Sequence, residues 1–432
     1  MSQEHIVIIG NGIAGITAAR HIRKLSQKKV TIISSESEHF FSRTALMYVY
    51  MGHMKWSHLK PYEDHFWKKN NFNLVHDHVI NIFPEEHQIE LRSKRKMHFD
   101  QLIIATGSKP NKFGWPGENA KGVQGLYSKQ DLELLEKNAP DNKTCRRAVI
   151  VGGGLIGVEL AEMLHTRKIP VTFLVRESNF WNNVLPDKEA KMLNKHIKSH
   201  GIDLRLNTNL EKILTDENDR VNAVKIKETN EVINCDLVGL TAGVSPNIEC
   251  VKNSKIETNR GILVNRYLQT NYKHIYAIGD CAEQRENIGN RKPIEAVWYT
   301  GRMMGETVAQ SVCGKPMIYK PGHWFNSAKF FDIEYQTYGW IFNSPKKGHT
   351  HFFWKHPEKD ICIHINYEKR SRKFIGINTF GIRMRHAFFN RCLDASATVD
   401  EVIKHLHLAN FDPELYKTYE KSIQQAFKTQ QI

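Results

Sequence analysis

A chain of 432 residues is too long for one hydrophobic core and calls for two or three domains. Charged residues make up 25% of it and no apolar run is long enough to cross a bilayer, which excludes a membrane-spanning class. Lysine and arginine outnumber aspartate and glutamate 61 to 46, and the resulting +15 favours an acidic protein, nucleic acid or an anionic membrane surface as partner.

The first apolar run, His5-Ile6-Val7-Ile8-Ile9, reads as a buried parallel strand. Because it begins by about residue 5, it leaves no room for a secretory signal or transit peptide, and the chain reads as soluble and cytoplasmic. The strand runs into Gly10-Asn11-Gly12-Ile13-Ala14-Gly15, which opens an amphipathic stretch. In such a turn the first glycine permits a tight strand-to-helix reversal, the second lets the backbone approach a pyrophosphate, and the third packs the helix on its strand. The phosphates then rest on the helix N-terminus without needing a basic side chain. The next strand, Val30-Thr31-Ile32-Ile33, ends at Ser34-Ser35-Glu36, and Glu36 stands about where an acidic residue takes the adenosine ribose hydroxyls. Arg92 to Lys96 reads as a hairpin turn. A further strand, Gln101 to Ala105, leads into Thr106-Gly107, and the polar stretch from Ser108 to Gly125 reads as a crossover between domains.

The pattern then repeats. Ala148-Val149-Ile150-Val151 precedes Gly152-Gly153-Gly154-Leu155-Ile156-Gly157, and Ala19 and Ala161 give both helices a small residue at the same offset. After Val171 to Val175 come Arg176 and Glu177: Glu177 suits the ribose hydroxyls of NADH, whereas Arg176 suits the 2'-phosphate of NADPH. This unit closes on Asp236 to Gly243, with Pro246 beyond, and another strand, Ile275 to Ile278, ends in Gly279-Asp280. From Lys320 onward the chain turns to aromatic-rich alternating strands, with a second hairpin turn at Glu368 to Lys373, and then to helices, an α+β texture. Near the end Phe411, Leu415, Tyr419, Ile423 and Phe427 form an apolar stripe flanked by lysines, which either packs on its own domain or lies on a membrane surface. The seven cysteines show no CxxC or CxxxxC and the 22 histidines no HExxH, so neither a disulfide framework nor a metal site is expected.

In combination, the Gly10 to Gly15 fingerprint, Ala105-Thr106-Gly107, the Gly152 to Gly157 fingerprint, Thr241-Ala242-Gly243 with Pro246-Asn247, and Tyr276-Ala277-Ile278-Gly279-Asp280 resemble the pyridine nucleotide-disulfide oxidoreductase superfamily over essentially the whole chain. The resemblance implies an α/β fold of two Rossmann-like dinucleotide-binding domains in a glutathione-reductase-like arrangement, plus a C-terminal α+β interface domain. It places an FAD-binding domain at residues 1–112 and 245–319, an NAD(P)H-binding domain at 113–244 and the interface domain at 320–432. It also implies that Asp280 hydrogen-bonds the FAD ribitol and that Glu159 lies near the nicotinamide, although a helix cap and a surface glutamate would look the same.

Where disulfide reductases carry redox cysteines, this chain has Phe41-Ser42-Arg43-Thr44-Ala45-Leu46. Arg43 is similar to the ferredoxin/rubredoxin reductase, apoptosis-inducing-factor and nitrite-reductase flavin-domain branch, as is Trp324-Phe325-Asn326-Ser327 with Asp332. Two departures stand out: Thr44-Ala45 replaces the branch's prolines, and Tyr48 stands at its flavin-side lysine. Trp298 either edges the flavin, as an aromatic does in that branch, or packs in the core. The expected activity is hydride transfer from NADH, with NADPH not excluded, to FAD, and onward transfer to an acidic ferredoxin-like carrier without a redox disulfide. The alternatives are a slow NADH-binding redox sensor and a peripheral membrane quinone reductase. Homo-oligomerisation is open and no nucleic-acid partner is expected.

Overall fold

The computed structural model describes residues 3–344, 346–411 and 417–430. The chain divides into two compact units, one formed by residues 1–113, 124–137 and 243–321, the other by 114–123, 138–242 and 322–432.

The first unit is built on five parallel strands in the spatial order Ile275–Ala277, Gln101–Ile104, His5–Ile9, Lys29–Ser34, Phe72–His76. In chain order this is 5-4-1-2-3, so the direction of winding reverses between the first and fourth strands, where open α/β sheets bind ligands. The inner strands are buried on both faces, which is why His5–Ile9, Lys29–Ser34 and Gln101–Ile104 are largely Ile, Val and Leu, whereas the edge strand Phe72–His76 is partly exposed. Helix Ile13–Leu25 carries no acidic residue in its first turn and two basic residues, Arg23 and Lys24, in its last. It packs along helix Trp298–Val312 through glycines: a Cβ at Gly305 would meet the Ala18 nitrogen and Thr17 Cβ, each 3.0 Å away. A three-stranded antiparallel sheet, Val79–Phe83, Gln88–Leu91 and Lys96–His98, adjoins, and Arg92 to Lys96 is the turn and start of its second hairpin, with Lys94 at φ 67°.

The second unit repeats the scheme with parallel strands in the order Asp203–Arg205, Val171–Leu174, Ala148–Val151, Leu237–Leu240. Helix Leu155–Thr166 follows the second glycine loop. The C-terminal part is a five-stranded antiparallel sheet, in the order Phe325–Phe330, Ile333–Gly339, Phe374–Phe380, Cys362–Glu368, His349–Lys355, with helices after it. Glu368 to Lys373 turns its last hairpin.

Helix Glu420–Gln430 lays Ile423 and Phe427 onto this sheet, with the Phe427 ring edge-on to Phe352 at 5.1 Å. The described part of the C-terminal apolar stripe from Tyr419 on thus packs on its own domain; Phe411 is exposed, and Leu415 lies outside the described residues. Among the described residues no helix is long and apolar enough to cross a membrane.

Candidate functional site

Each parallel sheet carries one glycine loop at the carboxyl ends of its first and fourth strands, and the glycines of the two loops divide the work in the same way. Gly10 (φ 109°) and Gly152 (φ 122°) occupy backbone that L side chains rarely adopt, and each abuts the chain leaving the neighbouring strand: Ala105 for Gly10, Thr241 and Ala242 for Gly152. A Cβ at Gly15 or Gly157 would collide with the carbonyl oxygen of Gly10 or Gly152, so these positions set the closeness of helix to strand. At Gly12 and Gly154 an added Cβ meets no protein atom within 4 Å. Both lie in extended backbone immediately before a helix, so the positive end of the helix dipole is open to an approaching phosphate. The loops therefore fit the phosphates of two dinucleotides.

Around the first loop the remaining expected residues converge. Asn11, between the first two glycines of the loop, is buried; its amide donates to the Ser37 carbonyl at 2.9 Å and its carbonyl accepts from Ser34 Oγ at 2.9 Å, tying the loop to the end of the second strand. Ala14 touches the Gly279 position, where a Cβ would lie 3.0 Å from Ala14 Cβ, so Gly279 (φ 73°) brings Asp280 beside the first helical turn. The Asp280 carboxylate accepts from Ser108 Oγ at 3.1 Å and Tyr127 Oη at 3.5 Å. Burial raises its proton affinity, and these two donors and Arg43 offset part of the rise. Burial and the nearby Asp280 push the Tyr127 phenol up to about 12, so it remains a donor across the physiological range.

Arg43 forms a two-pronged ion pair with Glu36, at 2.9 and 2.5 Å. It also donates to the Tyr127 carbonyl and lies over the Tyr127 ring, 4.5 Å from its centroid. Both Glu36 oxygens are thus engaged, one of them also by the Lys129 amide at 2.9 Å, so a ribose would have to share this carboxylate with Arg43. Ala105-Thr106-Gly107 ends the fourth strand: Thr106 Oγ1 donates to the Asn247 carbonyl at 2.6 Å, and the Ser108 amide donates to Tyr127 Oη at 3.0 Å. Gly243 (φ 89°) accepts at its carbonyl from the Asn111 amide. Trp298 starts helix Trp298–Val312, three residues before Gly301, whose position faces Ala14; its ring contact is with Tyr299 at 5.5 Å. A buried Arg291–Glu295 ion pair, with Thr300 Oγ1 also on Glu295, fixes this helix start. Cys281 is completely buried, its thiol raised by burial and directed at the Ile278 and Ile104 carbonyls.

Around the second loop, Thr241 Oγ1 donates to the Val151 and Gly152 carbonyls, at 3.0 and 3.2 Å. Ile156 and Glu159 lie in the first turns of the following helix. Desolvation, helped by Glu162, pushes the Glu159 carboxyl up to about 7, while part of its surface stays open. The Glu162 charge is itself paired with Lys329 at 2.8 Å. Arg176 and Glu177, at the end of the second strand, are bonded to each other at 2.8 Å, with the arginine largely exposed. Tyr127 and Ser108 lie outside the motifs and Asn11 is a variable position within one, since each acts through a partner distant in sequence.

The family model described as "Pyridine nucleotide-disulphide oxidoreductase" matches residues 4–305. The assimilatory nitrate reductase electron transfer subunit of Bacillus subtilis is 28% identical over 73% of this chain, which spans only 40% of that protein's length. The 5,5'-dehydrodivanillate O-demethylase ferredoxin reductase subunit of a Sphingobium species is 30% identical over 77% of this chain and 81% of its own. Among solved structures, a ferredoxin reductase for the CYP199A2 system from Rhodopseudomonas palustris superposes with a TM-score of 0.82 over 92% of this chain and 96% of its own, at 22% identity, a likeness of fold.

Proposed function

The chain belongs to the pyridine nucleotide-disulphide oxidoreductase family, and from that premise we propose that it is an FAD-dependent NAD(P)H oxidoreductase whose electron acceptor is an acidic, ferredoxin-like carrier. The observation that carries this reading is the pair of matched glycine loops, each with its middle glycine open above a helix N-terminus. When bound, FAD accepts a hydride from the reduced nicotinamide and can release its electrons singly.

In this reading residues 1–112 and 245–319 hold FAD, 113–244 hold the nicotinamide cofactor, and 320–432 form an interface domain. Gly10, Gly12, Ala14 and Gly15 shape the flavin pyrophosphate site, and Ala105, Thr106, Gly107, Gly243 and Gly279 set the backbone that faces it. Glu36, shared with Arg43, binds the adenosine ribose, and Asp280, primed by Ser108 and Tyr127, receives a ribitol hydroxyl. Gly152, Gly154, Ile156 and Gly157 cradle the second pyrophosphate; Glu159 lies at the nicotinamide; Trp298 borders the flavin ring. Arg176 is occupied with Glu177, which weakens its claim on a 2'-phosphate and favours NADH.

The acidic carrier rests on the charge of +15 and on the carrier reductases among the relatives. The deciding experiment is anaerobic reduction of the purified yellow protein by NADH or NADPH, followed by reoxidation with ferredoxins, rubredoxins, quinones and disulfides. Fast reoxidation by an acidic one-electron carrier is expected. A colourless protein that cannot be reconstituted with FAD overturns the flavoprotein assignment, a clear NADPH preference overturns the role given to Glu177, and a quinone that outcompetes every carrier overturns the acceptor.

A further inference from the structure

We propose that His196, His200 and Asp332, in the second unit, form a binding site for a divalent transition-metal ion of the Zn2+ class. The two histidines lie four residues apart at the C-terminal end of helix Asp187–Ser199, so their rings rise from one face. The carboxylate comes from the two-residue loop between strands Phe325–Phe330 and Ile333–Gly339. That loop turns through Phe331 at φ 55°, a left-handed conformation unusual for a phenylalanine, and the Phe331 ring stacks on His200 at 4.3 Å. The turn delivers Asp332 Oδ1 to 2.7 Å from His196 Nε2 and 3.6 Å from His200 Nε2, and the three ligand atoms all lie within 4.8 Å of one another. Four-coordinate zinc, with bonds of roughly 2.0–2.1 Å, sets its ligand atoms about 3.3 Å apart, inside the range found here.

The tautomers supply the second, independent argument. His200 Nδ1 is 3.0 Å from the His196 backbone carbonyl, which can only accept, so the proton of the neutral ring sits on Nδ1 and the Nε2 lone pair faces Asp332. His196 Nδ1 is 3.5 Å from the Asp360 carboxylate, itself paired with Lys355, and a ring proton held on that side turns the Nε2 lone pair of His196 in the same direction. Despite its short distance to Asp332, His196 Nε2 is buried and makes no hydrogen bond of acceptable geometry. With both ring protons on Nδ1, two lone pairs and a carboxylate converge on one point, an arrangement that a bound cation relieves. A single proton satisfies one nitrogen; a metal ion satisfies all three groups. Asp360 and the His196 carbonyl are then the outer groups that orient metal-bound imidazoles. Two nitrogens and one oxygen suit Zn2+, Co2+ or Ni2+ rather than Mg2+ or Ca2+, which prefer oxygen alone. Asp332 is exposed, so one side remains open to water.

The test uses the tag-free, FAD-loaded full chain after chelator treatment, titrated with Zn2+ by calorimetry and with Co2+ by visible absorption. One ion per chain is expected, with the intense visible bands of low-coordinate Co2+ and a rise in Tm. His200→Ala and Asp332→Ala should each weaken Zn2+ binding at least tenfold, and Asp360→Asn, which touches no metal, about tenfold. Failure of the unmodified chain to bind one ion overturns the proposal, whether or not the variants fold. Undiminished binding in both His200→Ala and Asp332→Ala does so as well, and leaves a histidine–aspartate ion-pair cluster. None of these readouts depends on flavin turnover.

Discussion

Gly12 and Gly10 are two residues apart and should respond to a side chain in opposite ways. A Cβ at Gly12 meets no protein atom and the backbone there is extended, so Gly12→Val should fold normally yet lose FAD affinity on the order of a hundredfold, ~2.7 kcal/mol, because the side chain fills the space of a pyrophosphate. At Gly10 a Cβ would strike the Ala105 carbonyl at a positive φ, so Gly10→Val should lower Tm even without flavin. Thermal melts with and without FAD separate the two outcomes; equal losses of Tm in both flavin-free variants would refute the division of roles. Glu159 offers a pH test. Its carboxyl is raised to about 7 by burial, so the folded state resists its ionisation: the native chain is favoured while Glu159 is protonated, and that advantage is lost as pH rises from about 4.5 through 7. Glu159→Gln should therefore melt above the parent protein at pH 8 and level with it near pH 4.5. Cys281 is fully buried and its thiol is raised by burial, so reductive titration should take two electrons per chain and native alkylation should leave Cys281 unmodified. Uptake of four electrons would contradict this.

At the scale of elements, helix Asp187–Ser199 is secured by a buried carboxyl group. Glu189 is fully buried, accepts two hydrogen bonds from the Asn378 amide at 3.0 and 3.2 Å, and lies 3.4 Å from His364 Nδ1. Glu189→Ala strands these partners, and a loss of about 3 kcal/mol is expected in denaturant unfolding; a loss below about 1 kcal/mol would show that they find other partners. The crossovers illustrate a limit of local reading. Composition marks Ser108 to Gly125 as a crossover, yet Ser108–Pro110 pairs antiparallel with Val244–Pro246, and Asn111 clasps Ser245. Three-residue strands have too few positions to display alternation, and their partners lie more than 130 residues away. The glycines of helix Trp298–Val312 were equally silent, because only contact with helix Ile13–Leu25 gives Gly305 its purpose.

For the whole molecule the positive charge is the property with functional reach. If it steers an acidic carrier, carrier reduction should slow steeply between low and high salt while reduction by NADH changes little, since screening acts on encounter between separated charges. Stopped-flow measurement of the two half-reactions decides this, and a salt-insensitive carrier step would assign the charge another role.

The two glycine loops, the buried strands before them and the motif ending in Asp280 were legible because their information is local: a fingerprint states its own turn, its own helix start and its own strand. Tertiary structure alone decided what lies between such segments. It put Tyr127 and Ser108 on Asp280, joined Arg43 to Glu36, and brought Asp332 to His196 and His200 across more than 130 residues of chain. Hydrogen bonds and metal ligands act over about 3 Å in space whatever the separation in sequence, so spacing rules find only those sites whose partners are also neighbours along the chain.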